Sequence, residues 1–142
     1  MQINKFTQKS MEAIKECEKI ALEYGNQEIE QEHLLLALVR QTDGLIPQLL
    51  EKMNIVLADF DSRVEAAVNK RTKVQGGNQY IGQDLNKVLI SAEDIAGVMG
   101  DEYVSVEHLM LTMIDKPNRE IKSIFNEYPP SGRQTVALGS CL

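Results

Sequence analysis

Apolar residues recur along this chain at helical spacing. Met11, Ile14, Cys17, Ala21 and Tyr24 fall on one face of residues 7–24, the three- and four-residue rhythm of an amphipathic helix. Thr7 supplies an N-cap hydroxyl, and Gly25 can take the left-handed conformation that ends a helix. Residues 31–41 are almost wholly apolar after His33, as a central buried helix requires. Asp43-Gly44 breaks it. A short helix over 46–53 follows, with Pro47 in its first turn, and Leu57, Phe60, Val64, Ala67 and Val68 mark a fourth. After an aperiodic stretch over 71–80 containing Gly76-Gly77, helices are predicted over 82–99 (stopped at Gly100), 105–115 and 119–128. Ser105 is the N-cap of the second of these and Pro117 its end.

The pattern repeats. Shifted by 75 residues, the chain matches itself without a gap. Gln8 falls on Gln83, Glu18 on Glu93, Ile20 on Ile95, Ala21 on Ala96 and Gly25 on Gly100. Glu32-His33-Leu34 falls on Glu107-His108-Leu109, Leu36 on Leu111 and Ile46 on Ile121. The predicted fold is therefore all-α, two pseudo-symmetric four-helix repeats over about 4–70 and 81–128 joined by a linker over 71–80, with no β-sheet. The last helix of the second repeat, due near 132–143, is absent or altered. Two prolines and two glycines make the tail over 129–142 a poor helix, so the domain is expected to end at 128.

Composition narrows the function. Hydrophobic residues are 43% of the 142 and aromatics 5%, with no Trp, so aliphatics and alanine must fill the core. A net charge of −6 argues against nucleic acid, which needs a basic face to displace counterions. The longest strongly apolar run, 34–39, is too short for a bilayer, and no signal-peptide pattern opens the chain. Cys17 and Cys141 follow no metal or redox spacing, so a cytoplasmic setting is expected. Cys17, matched to Ala92, is expected in the core.

Catalytic motifs are missing: no phosphate-binding P-loop, no Gly-x-Ser-x-Gly elbow, no His-Glu-x-x-His helix. Each histidine adjoins a glutamate, but neighbouring helical residues point about 100° apart, so a shared metal is disfavoured. The expectation is no cofactor and no metal, with His33 and His108 satisfying backbone groups in the first turns of their helices. Glu32 and Glu107, at equivalent helix starts, are either solvated charges complementing the helix dipole or a polar rim for a cationic or polar partner group. Asp101, just after the Gly100 stop, is a further candidate.

Three features together resemble the Clp N-domain family: the duplication, the paired Glu-His-Leu motifs, and the segments Ala21-Leu22-Glu23-Tyr24-Gly25-Asn26 and Gly100-Asp101-Glu102-Tyr103-Val104-Ser105. The similarity covers about 3–128, and residues 73–80 look most like the ClpB type, with the ClpC type next. The resemblance implies a substrate- or adaptor-recognition domain, monomeric alone and tethered ahead of two ATPase rings in a hexamer. A ClpB-type domain engages exposed apolar segments of unfolded or aggregated proteins through positions matching Thr7, Asp101 and Glu107. A ClpC-type domain docks adaptors and binds phosphorylated arginine through positions matching Glu32 and Glu107. A stand-alone regulatory protein of the family, or an autonomous helical enzyme or metal protein, are the competing readings.

Overall fold

In a computed structural model of the chain, residues 5–129 are described. Among them are seven helices: α1 (Gln8–Glu23), α2 (Gln31–Val39), α3 (Leu45–Lys52), α4 (Leu57–Asn69), α5 (Gln83–Val98), α6 (Val106–Asp115) and α7 (Arg119–Glu127). The eighth helix position, the tail and Cys141 lie outside the described residues. The punctuation predicted from sequence operates at each end. Thr7 Oγ1 accepts the Ser10 N–H at 3.2 Å, giving one of the orphan amides of α1 a partner. Gly25 and Gly100 take φ of 71° and 77°, and the residues after them, Asn26 and Asp101, donate back to Ala21 and Ala96, both at 2.8 Å.

All nine residues of α2 are buried. This helix packs against α1 and α4 and also touches the second half through α5, α6 and α7, which is why its sequence lacks a polar face. The core continues through Phe60, Val64, Leu89, Leu109, Met113 and Ile121, and Cys17 is buried within it. The end of α7 is joined to α4 by an edge-to-face contact of Tyr128 with the buried Phe60, ring centroids 5.2 Å apart. Arg63 adds ion pairs to Glu120 and Glu127.

In its architecture the structure departs from the sequence expectation by containing parallel β pairing. Strand β1 (Glu28–Ile29) pairs with β2 (Tyr80–Ile81), and Phe6 pairs with Val104 in an isolated parallel bridge. The two pairings are images of one another under the 75-residue shift. The segment before α5 lies on the first half, and the segment before α1 lies on the second. Gly82 N–H donates to Ile29 O at 2.8 Å, and Thr7 N–H to Val104 O at 3.0 Å. Two residues are too few to show alternation, so no strand is legible in the sequence.

Gln31 pins the halves together. It is 1% exposed, its Nε2 donates to Asp84 O (3.2 Å) and Lys116 O (3.1 Å), and its Oε1 accepts the Asn118 N–H (2.8 Å). Gln31→Leu removes all three bonds and strands their backbone partners. It is expected to cost about 3 kcal/mol, read as a lower urea midpoint at unchanged slope; a midpoint within error of the parent would show that water replaces the side chain.

Candidate functional site

Each half carries the same polar constellation at the start of its second helix. His33 Nδ1 accepts the Glu30 N–H at 2.9 Å, and its Nε2 meets Asn26 Oδ1 at 3.0 Å. A backbone donor at Nδ1 fixes the tautomer, so Nε2 carries the proton and donates to Asn26. In the second half His108 Nδ1 accepts the Ser105 N–H at 2.8 Å, and Nε2 donates to Asp101 Oδ2 at 2.9 Å. Both histidines thus serve the backbone at helix starts, as expected. Burial pushes His33 down to about 4, against the opposing pull of Glu32. Among the described residues no group of three metal-ligating side chains converges.

The two halves cap their first helices differently. Thr7 caps α1 from within its own chain segment. Its counterpart is Gly82, which has no side chain, and α5 is capped from the other half. The carboxylate of Glu30 accepts from Asp84 N (3.1 Å) and Leu85 N (3.1 Å). A Cβ at residue 82 would lie 1.8 Å from Glu30 Oε1, so glycine is what admits the carboxylate. Burial raises the Glu30 carboxyl above its ordinary value, although the Leu85 and Gln31 amides pull the other way.

The four sequence candidates divide between the halves. Thr7 meets Val104, and Asp101 and Glu107 lie close to Val104 in sequence, on either side of it. Thr7 is bonded to it through the backbone, and Ser10 Oγ donates to the Val104 carbonyl at 2.9 Å. Asp101 precedes Val104 by one turn of loop and Glu107 stands in the first turn of α6. Glu107 is half-buried and has no ion-pair partner among the described residues.

Glu32 belongs to the image of this site. Of its two expected readings, the solvated helix-end charge does not describe it: it is 2% exposed. Its Oε2 accepts from Arg71 Nη1 and its Oε1 from Asn118 Nδ2, both at 2.7 Å. The physical reason is that α2 is central, so even its first turn is covered, and a carboxylate buried there needs partners. A recess of about 380 Å³ opens beside it, lined in part by Arg71, Asp84 and Arg119. Arg71 also pairs with Glu28.

Residues 71–80 do more than connect the halves. They lie over the loop between α1 and β1: Val74 N–H donates to Gly25 O at 2.9 Å, and Lys73 Nζ to Tyr24 O at 2.9 Å. Asn26 Nδ2 donates to Thr72 O at 3.1 Å. The matching loop of the second half has no such cover among the described residues. There Val98 is 89% and Tyr103 50% exposed, with Met99 beside them. Sequence reasoning missed Glu30, Asn26, Arg71 and Asn118. The signal available was the set of positions where the two copies disagree, Glu30 against Ser105 and Gly82 against Thr7.

Comparison with known proteins agrees with this architecture. The model of the Clp repeat (R) N-terminal domain matches residues 5–128. The chaperone protein ClpB of Nitratidesulfovibrio vulgaris is 42% identical over 122 residues, 82% of this chain and 14% of the relative. ClpB of Clostridium tetani is 37% identical over 133 residues, 90% of this chain and 15% of that protein. The chain therefore spans about one-seventh of the length of these curated relatives. Among solved structures, the Hsp104 N-terminal domain from Candida albicans superposes with a TM-score of 0.82 at 20% identity, covering 94% of this chain and 88% of that one. The N-terminal domain of the ClpV1 ATPase from E. coli gives 0.81 at 19% identity, over 98% and 86%. Two helical halves that exchange their leading segments, together with the match over 5–128, establish that the chain belongs to the Clp repeat (R) N-terminal domain family.

Proposed function

We propose that this chain is the polypeptide-recognition domain of a ClpB-type ATP-dependent chaperone, acting in the cytoplasm on unfolded or aggregated segments or on the adaptors that present them. The observation that carries the reading is the open site around Val104. An unpaired carboxylate, Glu107, and a second acceptor, Asp101, stand beside the exposed apolar residues Val98, Met99 and Tyr103. Such a surface offers apolar area and hydrogen-bond acceptors without a deep pocket, which suits transient capture of varied extended chains. A related ClpV N-domain has been solved in complex with a VipB peptide, with a TM-score of 0.76 to this chain. In this reading the chain is monomeric alone, carries no catalytic chemistry, and leaves ATP-driven threading to modules of a hexameric parent.

Docking of phosphorylated arginine at a symmetric pair of glutamates receives less support. The Glu32 carboxylate is already taken up by Arg71 and Asn118. The test compares wild type, Thr7→Ala and Glu107→Lys for binding of a permanently unfolded, reduced and carboxymethylated protein. Both variants are expected to bind at least about fivefold more weakly, a difference of about 1 kcal/mol. Glu107→Lys is expected to melt close to the parent, since its side chain is unpaired. Unchanged binding by folded variants would reduce these residues to helix-end polar groups.

A further inference from the structure

We infer that Asp43-Gly44 is a site of spontaneous covalent modification, where aspartate rearranges to isoaspartate and becomes a substrate for a methyltransferase specific for isoaspartyl carboxylates. The inference does not depend on which polypeptide the domain binds. It starts from the short link between α2 and α3. Asp43 takes φ 58°, in the left-handed region that aspartate and asparagine tolerate better than other residues with a side chain. Gly44 has an ordinary φ of −81°, but a Cβ there would stand 2.9 Å from Gln41 Cβ and 3.2 Å from Gln41 O. The link is therefore best built from Asp or Asn followed by Gly. No other aspartate or asparagine in the chain precedes a glycine.

That pair is also the reactive one. The amide nitrogen of residue 44 lies a few bonds from the Asp43 carboxyl carbon, and without a Cβ beside it nothing shields the attack. A C–N bond forms to the side-chain carbon, its C–OH bond breaks, and the hydroxyl leaves with the amide proton as water. The product is a five-membered succinimide. Water then adds back and opens the ring at either carbonyl. When the bond to the main-chain carbonyl breaks, the chain runs on through the side chain of residue 43 and the α-carboxylate is set free. Solvent water is the only co-reactant.

The surroundings single out this position. Asp43 is exposed, and its carboxylate has no hydrogen-bond or ion-pair partner among the described residues. The Gly44 N–H is held only by a long bond, 3.3 Å, to Gln41 O. Comparable residues are restrained. Asp61, which precedes Ser62 within α4, has both oxygens held by Arg40 at 3.0 Å. Asn118, the image of Asp43 under the 75-residue shift, is followed by Arg119, and its side chain is engaged by Ile121 N and Glu32 Oε1. Isoaspartate adds one methylene to the main chain ahead of α3. That helix is anchored by the buried Ile46 and Leu50 and packs on α2, α4 and α6, so a lengthened link loosens it.

The 142-residue chain is kept warm at neutral pH for several weeks and digested with trypsin, which releases residues 41–52. A second chromatographic form of that peptide is expected, equal in mass and labelled by isoaspartyl methyltransferase with radioactive S-adenosylmethionine. A form lighter by one water should precede it. Asp43→Glu, which would have to close a six-membered ring, is expected to give neither. A synthetic 41–52 peptide run alongside checks that the conditions permit the reaction. A native chain that yields no second form while the peptide does would show that the fold protects the pair, and the inference fails. Labelling at Asp61 or Asn118 in place of Asp43 overturns it equally. The aged chain is also expected to gain a fraction that unfolds at lower urea, in proportion to its isoaspartate. A single unchanged transition would sink the claim that α3 is loosened.

Discussion

Glu30→Ser combined with Gly82→Thr is expected to give a chain more stable than either single variant. Glu30→Ser alone removes the carboxylate that serves the amides of Asp84, Leu85 and Gln31, and glycine at 82 offers no substitute. Charge-assisted caps of this kind are worth about 2 kcal/mol, the cost of burying the charge reducing the gain. Gly82→Thr alone drives a Cβ into Glu30, an overpacking that costs about 1–3 kcal/mol. Together the two changes copy Thr7 and Ser105, the arrangement with which the other half caps its own helix. Gly82 has φ −69°, which threonine adopts without strain, so the double variant should return to within about 1 kcal/mol of the parent. Urea unfolding of the four proteins reads the coupling directly. If the two losses simply add, capping across the halves is not what links residues 30 and 82.

The second large effect is acid sensitivity from His33. Its ring is wholly buried, and burial lowers it from 6.5 to about 4 in the folded chain. The unfolded chain therefore takes up a proton that the native state refuses. The contribution is fully present above pH 6.5, falls as the pH drops towards 4, and is lost below that. Its span is about 3 kcal/mol. Glu30, raised by burial, works in the opposite sense over the carboxylate range, so the slope is best measured between pH 5 and 6.5. His33→Gln keeps an acceptor for the Glu30 N–H, glutamine being a natural partner at this helix position, and removes the titration. Its stability should be lower at neutral pH and flatter with pH than the parent's. A slope that survives the substitution would assign the acid sensitivity to other groups.

What could be seen in the sequence follows from the length over which each signal is written. Helices α1 and α5 announce themselves through several turns of apolar spacing, α2 through an unbroken apolar run, and Gly25 and Gly100 through their fixed offset. The β pairings could not, because Phe6 and Ile81 are single residues whose partners lie far along the chain. Three of the proposed contact residues, Thr7, Asp101 and Glu107, meet or flank one backbone position. Glu32 does not join them. Its motif is the same as that of Glu107, but burial is decided by what arrives from elsewhere, and Arg71 and Asn118 carry no mark of their destination. Glu30 was invisible for a related reason: it does its work at a helix that begins more than fifty residues later.

The exchanged leading segments bear on how the chain is made. Thr7 is synthesised well before Val104, the residue whose carbonyl it bonds. At about 5–20 residues per second, the start of α1 must wait several seconds before its partner exists, plus the delay until that partner clears the exit tunnel. The first half meanwhile presents α2, apolar from Leu34 to Val39, with its α5 and α6 neighbours still unmade. A product released before residue 104 is therefore expected to be a target of cellular quality control instead of a half-sized folded unit.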